Sequence, residues 1–404
     1  MLRDYQERIV QTALDELEDY SEPFVINAFQ SSGKSIMIAE LVRRFGKPVL
    51  ILCMSKELVE QDVAKLRALD LGVTKYSASC GQKILSNITV ATIGSIYKYP
   101  EYCERYALVM VDECDSVPTD KNESMYMKFL SKLNTKLIGW TGTPFRIKQN
   151  FTRKNGDLWQ VNRIEALSNF PVWGKIINGV EYDELASGGF VAPMKYWSDS
   201  KNLDPTMLKM NSTGNDYTED SLAVYGEYHR ERVAGNAISA VEKWGAKRVL
   251  VTVPNIAEAE AVAAIVKNYG IKADYLHSKM NKKDRESRVE KFKRGETRVM
   301  VQVMILNIGF DLPALDCIVF ARPSRSLRIW CQTVARGIRL DPESPEKRCN
   351  IIDMGFMLEK FGGVESVKIR EQDGRDEVFT KHGVISKLAV SRVNISEMQR
   401  LYGR

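Results

Sequence analysis

Apolar and polar positions follow two patterns along the first third of the chain. Short apolar runs predict buried strands, and the segments between them repeat apolar residues every three or four positions, as helices do. In residues 56–69, for example, Val59, Val63 and Leu66 have helical spacing. The predicted strands are 24–28, 49–53, 88–92, 107–111 and 136–140. Strands that alternate with helices predict a parallel sheet covered on both faces.

The same alternation returns in the second half of the chain. Further strands are predicted at 248–253, 273–276, 299–303, 317–320 and 350–353, with helices at 256–269 and 282–293 between them. We therefore predict an α/β protein with two domains, each a mainly parallel sheet flanked by helices. The polar stretch 198–220 indicates the linker. The predicted boundaries are 1–198, a linker at 199–225, a second domain at 226–360, and an extension at 361–404 whose structure the sequence does not assign.

Composition is compatible with this organisation. A chain of 404 residues is too long for one ordinary core, and 44% apolar with 27% charged residues is typical of globular proteins. The net charge of +6 permits nucleic-acid binding without requiring it. No apolar run approaches the roughly 20 residues that span a bilayer, so no membrane partner is expected.

The cysteines and histidines are scattered. Seven cysteines form no CxxC pair, and the three histidines are far apart in the sequence, so we expect no zinc site. An odd number of cysteines, without a recognisable signal peptide, indicates reduced thiols and a cytoplasmic location.

The first chemical motif is the segment Ser31-Ser32-Gly33-Lys34-Ser35, between a predicted strand and a predicted helix. At such a turn, backbone N–H groups and the lysine ammonium bind phosphates, and the serine hydroxyl reaches Mg²⁺. The alternative is a chance Gly-Lys-Ser at a helix N-terminus. ATP and Mg²⁺ are the cofactors that this motif predicts.

Two acidic residues follow the predicted strand 107–111. Asp112 would hold Mg²⁺ through water, and Glu113 would orient and deprotonate the attacking water. The alternative is an acidic loop that caps a helix. Together with the phosphate loop, this pair predicts a nucleotide hydrolase.

A third motif lies far downstream. Gln332, Arg336 and Arg339 have i, i+4, i+7 spacing, so a helix would display all three on one face. Guanidinium groups suit phosphate because they are planar and permanently charged. Arg339 is the preferred arginine finger and Arg336 the next candidate; the alternative is a solvated basic face. Because the chain also contains a phosphate loop, we favour an ATP site shared by two domains over a solvated basic face.

With these motifs, the chain resembles superfamily 2 helicases and translocases from residue 2 to about 353. Asp112–Asp115 is similar to the family's DECD box, and Arg3 and Gln6 match its adenine-reading segment. The resemblance implies two RecA-like domains.

Further motifs extend the resemblance. The segment containing Thr141 and Thr143 resembles motif III, which implies coupling of hydrolysis to nucleic-acid binding. Residues 307–313 resemble motif V, which implies that Gly309 and Asp311 contribute to the nucleotide site.

Two loops are candidate nucleic-acid contacts. Ser55 and Lys56 follow one predicted strand, and Thr92, Gly94 and Ser95 follow another, so backbone N–H groups there can hold a phosphate. We expect these loops on the rim opposite the ATP site. The alternative is that the hydroxyls are ordinary helix N-caps.

Residues 145–163 mix basic and aromatic side chains. Arg146, Lys148, Phe151, Arg153 and Trp159 could contact a nucleic-acid backbone and stack at a junction. An ordinary solvated loop is an equally good interpretation of this composition.

The choice of nucleic acid comes from resemblance alone. The segments at 2–6, 141–146 and 182–193 are similar to the branch with restriction-enzyme motors, RecG and UvsW-type helicases, which implies DNA. The expected function is a monomeric, phage-encoded helicase in the host cytoplasm that tracks on duplex, forked or branched DNA, unwinds forks and drives branch migration, with 3′–5′ polarity. The alternatives are an RNA helicase with the same motor and an ATP-gated clamp that does not unwind.

Overall fold

The computed structural model describes residues 2–118, 123–154, 157–304, 312–385 and 389–392. The chain forms two compact units. The first contains Met1–Arg146, Glu165–Leu185 and Lys368–Val378, and the second contains Ile147–Ile164, Ala186–Val367 and Phe379–Arg404. The chain therefore passes between the units five times, at residues 146, 164, 185, 367 and 378, whereas the predicted boundaries place one linker at 199–225.

The first unit is built on an eight-stranded sheet in the order β10-β1-β7-β6-β2-β5-β3-β4. Its strands are β1 Phe24–Ala28, β2 Val49–Cys53, β3 Val73–Ser77, β4 Gln82–Lys83, β5 Ile88–Thr92, β6 Leu108–Asp112, β7 Lys136–Thr141 and β10 Lys175–Val180. The pairs from β10 to β3 are parallel, and β4 is antiparallel to β3. All five strands predicted for this half are present, within one residue at each end.

Helices pack against this sheet through faces on which apolar residues recur at helical spacing. The helices are α1 Asp4–Glu18, α2 Lys34–Phe45, α3 Lys56–Arg67, α4 Ile93–Ile96, α5 Met125–Leu130 and α6 Tyr182–Ser187. In α1, for example, Ile9, Val10, Ala13 and Leu17 are all buried. The strands β1, β2 and β6 are buried at every position, as expected for a sheet covered on both faces.

The second unit contains a six-stranded sheet in the order β11-β16-β15-β12-β14-β13, and every pair is parallel. Its strands are β11 Met194–Ser198, β12 Val249–Thr252, β13 Ala273–Leu276, β14 Val299–Gln302, β15 Cys317–Phe320 and β16 Cys349–Asp353. Its helices are α7 Glu219–Glu242, α8 Ile256–Asn268, α9 Lys282–Arg294, α10 Leu327–Val334 and α11 Met357–Phe361. The predicted strands and helices of this half are confirmed, and β11 was not predicted.

Two segments that the sequence left without secondary structure form antiparallel strands. The segment after Pro144 forms β8 Phe145–Lys154 and β9 Asp157–Ala166, which share a three-stranded sheet with β20 Ala389–Arg392. The charged stretch near the C-terminus forms β17 Lys368–Gln372, β18 Arg375–Thr380 and β19 Gly383–Val384. Residues 368–378 belong to the first unit, where Arg370 pairs with Glu181 and Lys368 with Asp183.

Candidate active site

The phosphate loop has the geometry that its sequence predicts. It leaves the buried strand β1 at Ala28, and α2 begins at Lys34 directly after Gly33. Gly33 has a φ of +84°, and a Cβ at this position would lie 2.5 Å from the Nε2 of Gln6. Only glycine fits both the left-handed backbone and this close approach. The loop therefore leads into the N-terminus of α2, where backbone N–H groups can bind an anion.

The start of α1 braces this loop. The Nε2 of Gln6 and the hydroxyl of Tyr5 both donate to the carbonyl oxygen of Ser32, each at 2.8 Å. The Oε1 of Gln6 accepts from the backbone N–H of Arg3 at 3.0 Å. The structure thus brings Arg3 and Gln6 to the phosphate loop, while their role in reading adenine stays a prediction.

The two predicted acids lie beside the lysine of the loop. The Nζ of Lys34 is 2.5 Å from the Oε1 of Glu113 and 3.7 Å from the Oδ1 of Asp112. Asp112 is the last residue of β6 and is 2% exposed. Glu113 has a left-handed backbone, with φ of +51°, which turns the chain sharply after the strand. The predicted grouping of lysine and two carboxylates is therefore present.

Burial and charge shift the ionisation of this group. Burial alone would lower the pKa of Lys34, but the carboxylates of Glu113 and Asp112 raise it above its usual range. Burial raises the pKa of Asp112 to about 6, against the opposing effect of Lys34. The lysine is therefore held as a cation, ready to bind a phosphate.

The site can accommodate a hard divalent cation. The Oδ1 of Asp112 and the Oε2 of Glu113 are buried and have no hydrogen-bond partner among the described residues. The hydroxyl of Ser35 belongs to the same loop, and Mg²⁺ prefers such oxygen ligands. Within the described parts of the chain, no group of three or more His, Cys, Asp or Glu side chains could hold a metal. An ion on Ser35 and Asp112 would therefore complete its shell with phosphate and water.

The acidic turn is also tied to the predicted coupling segment. Asp115 is fully buried, and its carboxylate accepts from the hydroxyls of Thr141 and Thr143, both at 2.9 Å. Gly142 lies between them, and a Cβ there would be 3.0 Å from the carbonyl oxygen of Ala28. The coupling segment therefore contacts both the acidic turn and the phosphate loop, and Asp115 is a functional candidate that the sequence analysis did not single out.

A second pair of residues was also missed. On α3, the Nε2 of Gln61 donates to the Oγ of Ser35 at 3.0 Å, and the neighbouring Asp62 is 1% exposed. Burial and the charge of Asp112 raise the pKa of Asp62 well above its usual range, although the hydrogen bond from the thiol of Cys53 opposes this. The sequence contained one signal for Asp62, because its carboxylate falls within the apolar face of α3 that Val59, Val63 and Leu66 define.

The third motif differs from its prediction. The helix α10 ends at Val334, so it does not display Gln332, Arg336 and Arg339 on one helical face. The backbone N–H of Arg336 donates to the carbonyl oxygen of Thr333, and the N–H of Gly337 donates to that of Val334. The chain after α10 therefore continues as hydrogen-bonded turns. A Cβ on Gly337 would lie 2.2 Å from the Sγ of Cys349, which fixes this turn against β16.

The three polar residues of the motif are nevertheless close in the chain and partly or fully buried. Gln332 is 7% exposed. Burial lowers the pKa of Arg339, and the carbonyl oxygen of Arg339 accepts from the Nζ of Lys347 at 2.7 Å. They lie in the second unit, whereas Lys34 lies in the first. The predicted motif V residues Gly309 and Asp311 fall outside the described residues.

The candidate nucleic-acid loops are on the same edge of the sheet as the acids. Because β2 pairs in parallel with both β5 and β6, Ser55 and Thr92 follow the same carboxyl edge as Asp112. The expectation of an opposite rim is therefore wrong. Within this edge the two loops are neighbours, since Cys53 pairs with Thr92.

The hydroxyls in these loops have internal partners. The Oγ of Ser55 accepts from the N–H of Leu58 at 3.3 Å and caps α3. The hydroxyl of Thr92 forms hydrogen bonds with the hydroxyls of Ser77 and Ser95, at 3.1 and 2.9 Å. The Nζ of Lys56 lies 3.3 Å from the Oε1 of Glu60. A Cβ added at Gly94 would meet open space. The side chains thus shape the loops, and a nucleic-acid role stays a prediction.

The described residues of this segment form the strands β8 and β9, mostly within the second unit, and not a solvated loop. Amides of the hairpin converge on one carbonyl oxygen, that of Thr213, which accepts from Gln149 at 3.3 Å, from Asn162 at 2.7 Å and from Gln160. The segment that follows Thr213 is anchored in turn, because Asp216 pairs with Arg322 at 2.9 Å. This hairpin directly follows the coupling segment in the chain.

Two family models match the chain at these same positions. The model described as "Type III restriction enzyme, res subunit" matches residues 1–146, and "Helicase conserved C-terminal domain" matches residues 236–341. The first covers the phosphate loop and the acids, and the second covers the arginine motif. The chain carries the two-domain core of the superfamily 2 helicases. Its two parallel sheets are accordingly RecA-like domains.

Relatives share this core at low identity. IRC3 of Saccharomyces cerevisiae, named as an ATP-dependent helicase, is 24% identical over 376 residues, which are 87% of this chain and 51% of that protein. A fragment of a type I restriction-enzyme HsdR subunit from Vibrio vulnificus matches with a TM-score of 0.64 and 16% identity, over 93% of this chain and 67% of that one. The chain thus spans about half the length of IRC3.

A third match is a structure with bound nucleic acid. The ATP-dependent Type ISP restriction-modification enzyme LlaBIII bound to DNA gives a TM-score of 0.62 and 16% identity, over 88% of this chain and 28% of that one. At such identities the solved structures show the shared fold. Among the described residues, none of the helices combines the length and the apolar character needed to cross a membrane.

Proposed function

We propose that this protein is an ATP-hydrolysing motor that moves along DNA. The observation that carries the proposal is the position of Lys34 between the carboxylates of Glu113 and Asp112, 2.5 and 3.7 Å away, beside a loop that opens the N-terminus of α2. A lysine, two acids and the N-terminus of a helix are parts that phosphoryl transfer needs.

Each residue of the first unit has a distinct role in this proposal. Lys34 and the loop residues Ser31, Ser32 and Gly33 bind the phosphates, and Glu113 accepts a proton from the attacking water. Ser35 and Asp112 hold Mg²⁺, which when bound neutralises charge on the transferring phosphate. The side chain of Asp112 is 2% exposed and that of Lys34 is 16% exposed, so water screens their electrostatic interactions only in part.

The second unit supplies the remaining groups. Arg339 is the arginine finger, and Arg336 contacts the same phosphate beside it. Gln332 forms a polar contact with the nucleotide or with water. Gly309 and Asp311 complete this side. Binding of one nucleotide by both units would couple hydrolysis to their relative movement.

The surrounding contacts support two further roles. Gln6 and Arg3 read the adenine, and Gln6 is already fixed beside the loop by its bond to Ser32. Thr141 and Thr143 couple the ATP site to nucleic acid, and the buried Asp115 is their link to the acidic turn.

DNA is favoured by the names of similar proteins, and the candidate loops lie close enough together to contact one nucleic-acid backbone. The HsdR subunit and LlaBIII belong to restriction enzymes, and LlaBIII is bound to DNA. The loops at Ser55–Lys56 and at Thr92, Gly94 and Ser95 lie side by side on the edge that carries Asp112. We infer that they hold the DNA backbone, and that a monomeric, phage-encoded enzyme in the host cytoplasm remodels forks and junctions with 3′–5′ polarity, driving branch migration.

One set of assays tests this proposal. ATP hydrolysis is measured alone and with duplex DNA, single-stranded DNA and RNA, and stimulation by DNA is expected. Stimulation by RNA alone would contradict the choice of DNA and favour an RNA helicase. Unwinding of duplexes with 3′ or 5′ tails, forks and four-way junctions then tests polarity and substrate; ATP hydrolysis without strand separation or translocation on any of them would favour a clamp.

A further inference from the structure

A turn at residues 211–216 of the second unit is fixed by its own hydrogen bonds. The Oδ1 of Asn211 accepts from the hydroxyl of Thr213 at 3.0 Å and from the backbone N–H of Asn215 at 3.2 Å. The backbone N–H of Asn211 donates to the carbonyl oxygen of Asp216 at 2.9 Å. These bonds tie both arms of the turn to Asn211, so we expect the turn to move as one piece.

The hairpin of β8 and β9 holds the middle of this turn. Both Gln160 and Asn162 donate to the carbonyl oxygen of Thr213, the second at 2.7 Å. Asn162 also donates to the Oδ1 of Asn215 at 3.0 Å. The two amides are buried, since Gln160 is 6% exposed and Asn162 is 1% exposed. A buried amide without a partner is costly, so separation of the hairpin from the turn is unfavourable.

The last residue of the turn holds the loop between β15 and α10 at two points. The Oδ2 of Asp216 lies 2.9 Å from the Nη2 of Arg322, and its Oδ1 accepts from the backbone N–H of Arg325 at 3.2 Å. The side chains of Arg322 and Asp216 are only 16% and 22% exposed, so water screens their ion pair in part. The next residue, Ser326, is the N-cap of α10. One carboxylate therefore fixes the chain that leads into this helix.

The hairpin, the turn and the loop thus form a continuous series of contacts. At one end of the series, β8 directly follows the coupling segment in the chain. At the other end, α10 contains Gln332 and leads to Arg336 and Arg339, the arginine motif. A shift of the hairpin would carry the turn with it, and through Asp216 it would shift the start of α10.

We propose that the turn at residues 211–216 couples the hairpin to the arginine motif, with Asp216 as the positioning residue that acts on α10. This inference rests on the proposed function, because it assumes that DNA stimulates hydrolysis and that the arginine motif takes part in it. Asp216 contacts neither the nucleotide nor DNA in this scheme. Replacement of residues along such a series changes the coupling between two sites by about 2- to 30-fold.

The competing explanation is that the turn only packs the hairpin against the rest of the second unit. The bonds of Asn162 and Asp216 would then stabilise the fold and have no other effect. The two explanations differ in what depends on DNA. Loss of a coupling contact lowers the factor by which DNA stimulates ATP turnover, whereas loss of a packing contact lowers thermal stability and leaves that factor unchanged.

The test measures ATP turnover with and without saturating duplex DNA, the affinity for a fluorescent ADP, and thermal melting. Asn162→Ala breaks the contacts at the hairpin, Asp216→Ala breaks those at the loop, and a double variant breaks both. Gln149→Ala is a milder change at the hairpin, because Gln149 is only partly buried. Asp216→Asn keeps one acceptor oxygen. Glu258→Ala is the matched control, since Glu258 forms a 2.7 Å ion pair with Arg230 in the same unit, between α7 and α8.

For Asn162→Ala and Asp216→Ala we expect the stimulation factor to fall by about 2- to 30-fold, with ADP affinity and turnover without DNA unchanged. Gln149→Ala should have a smaller effect, and Asp216→Asn should recover part of the loss. Glu258→Ala should keep the wild-type factor even where it melts at a lower temperature. Because the contacts act in series, the double variant should lose no more than the more affected single variant.

Three results would overturn the inference. Wild-type stimulation factors in both Asn162→Ala and Asp216→Ala would leave the turn no coupling role. Equal falls in turnover with and without DNA would assign these residues to packing, and additive losses in the double variant would make the two contacts independent. If either alanine variant melts below the assay temperature, Gln149→Ala and Asp216→Asn decide by the same criteria. A wild type whose ATP turnover DNA does not stimulate would instead overturn the proposed function, and this inference with it.

Discussion

Lys34 and Glu113 form an ion pair of 2.5 Å that joins the phosphate loop to the acidic turn. The pair connects residues 79 positions apart in the chain. They lie in the segments that follow β1 and β6, and β7 separates these two strands in the sheet. A nucleotide phosphate would compete with Glu113 for the lysine ammonium. Binding would therefore release the Glu113 carboxylate to act on water.

Replacement of Glu113 by glutamine should separate binding from hydrolysis. The amide keeps the size of the side chain but cannot accept a proton from water, so we expect ATP turnover to fall by at least about 100-fold. ATP binding should stay near the wild-type level, because the phosphate-binding groups are unchanged. Steady-state turnover and equilibrium binding of a fluorescent nucleotide measure the two quantities. Turnover at the wild-type rate would remove Glu113 from the chemistry.

Arg339 and Arg336 should differ in their effect on hydrolysis. If Arg339 is the finger, Arg339→Ala should lower ATP turnover on the order of 10³-fold or more, with Arg336→Ala as its neighbouring comparison. Arg339→Lys should recover little, because an ammonium does not reproduce the planar fork of guanidinium. A minor effect of Arg339→Ala and a large one of Arg336→Ala would transfer the role to Arg336.

The partly buried Lys360 on α11 should make stability depend on pH. Burial, with a contribution from Arg325, lowers the pKa of Lys360 to about 7. In the unfolded chain the lysine titrates near 10.4, so between these values the unfolded state binds more protons and stability rises with pH. Lys360→Met should therefore stabilise the protein at pH 7, and this gain should shrink by up to about 1.4 kcal/mol per pH unit as the pH rises.

Thermal melts at pH 7, 8 and 9 measure this effect. Lys267→Met on α8 is the matched control, because Lys267 is exposed and its replacement should change little at any pH. A Lys360→Met variant that melts at the same offset from the wild type at all three values would contradict the prediction.

The sequence predicts the fold and the first half of the site well, because the signals there are local. The apolar run at 24–28 and the Gly33-Lys34-Ser35 segment define a strand, a turn and a helix start without help from distant residues. The acids after β6 are equally local. Their grouping with Lys34 follows from parallel strands, whose carboxyl ends share one edge.

The parts that the sequence did not predict depend on contacts between distant residues. The helix α10 stops before Arg336, and nothing in the spacing of Gln332, Arg336 and Arg339 reveals that Gly337 packs against Cys349. Gln61 is recognisable as important only when its amide is seen beside the hydroxyl of Ser35. The candidate nucleic-acid loops were wrongly expected on the rim opposite the ATP site, and the cause was different. The strands β2, β5 and β6 are parallel, and this alone places the loops on the edge that carries Asp112.

The most direct test of the central claim is displacement of a triplex-forming strand from linear duplex DNA in the presence of ATP and Mg²⁺. Because Lys34 binds the phosphates in this account, the wild type should displace the strand and Lys34→Ala should not. Displacement by Lys34→Ala at the wild-type rate, or ATP hydrolysis by the wild type with no displacement, would contradict the claim that hydrolysis at this loop drives movement along DNA.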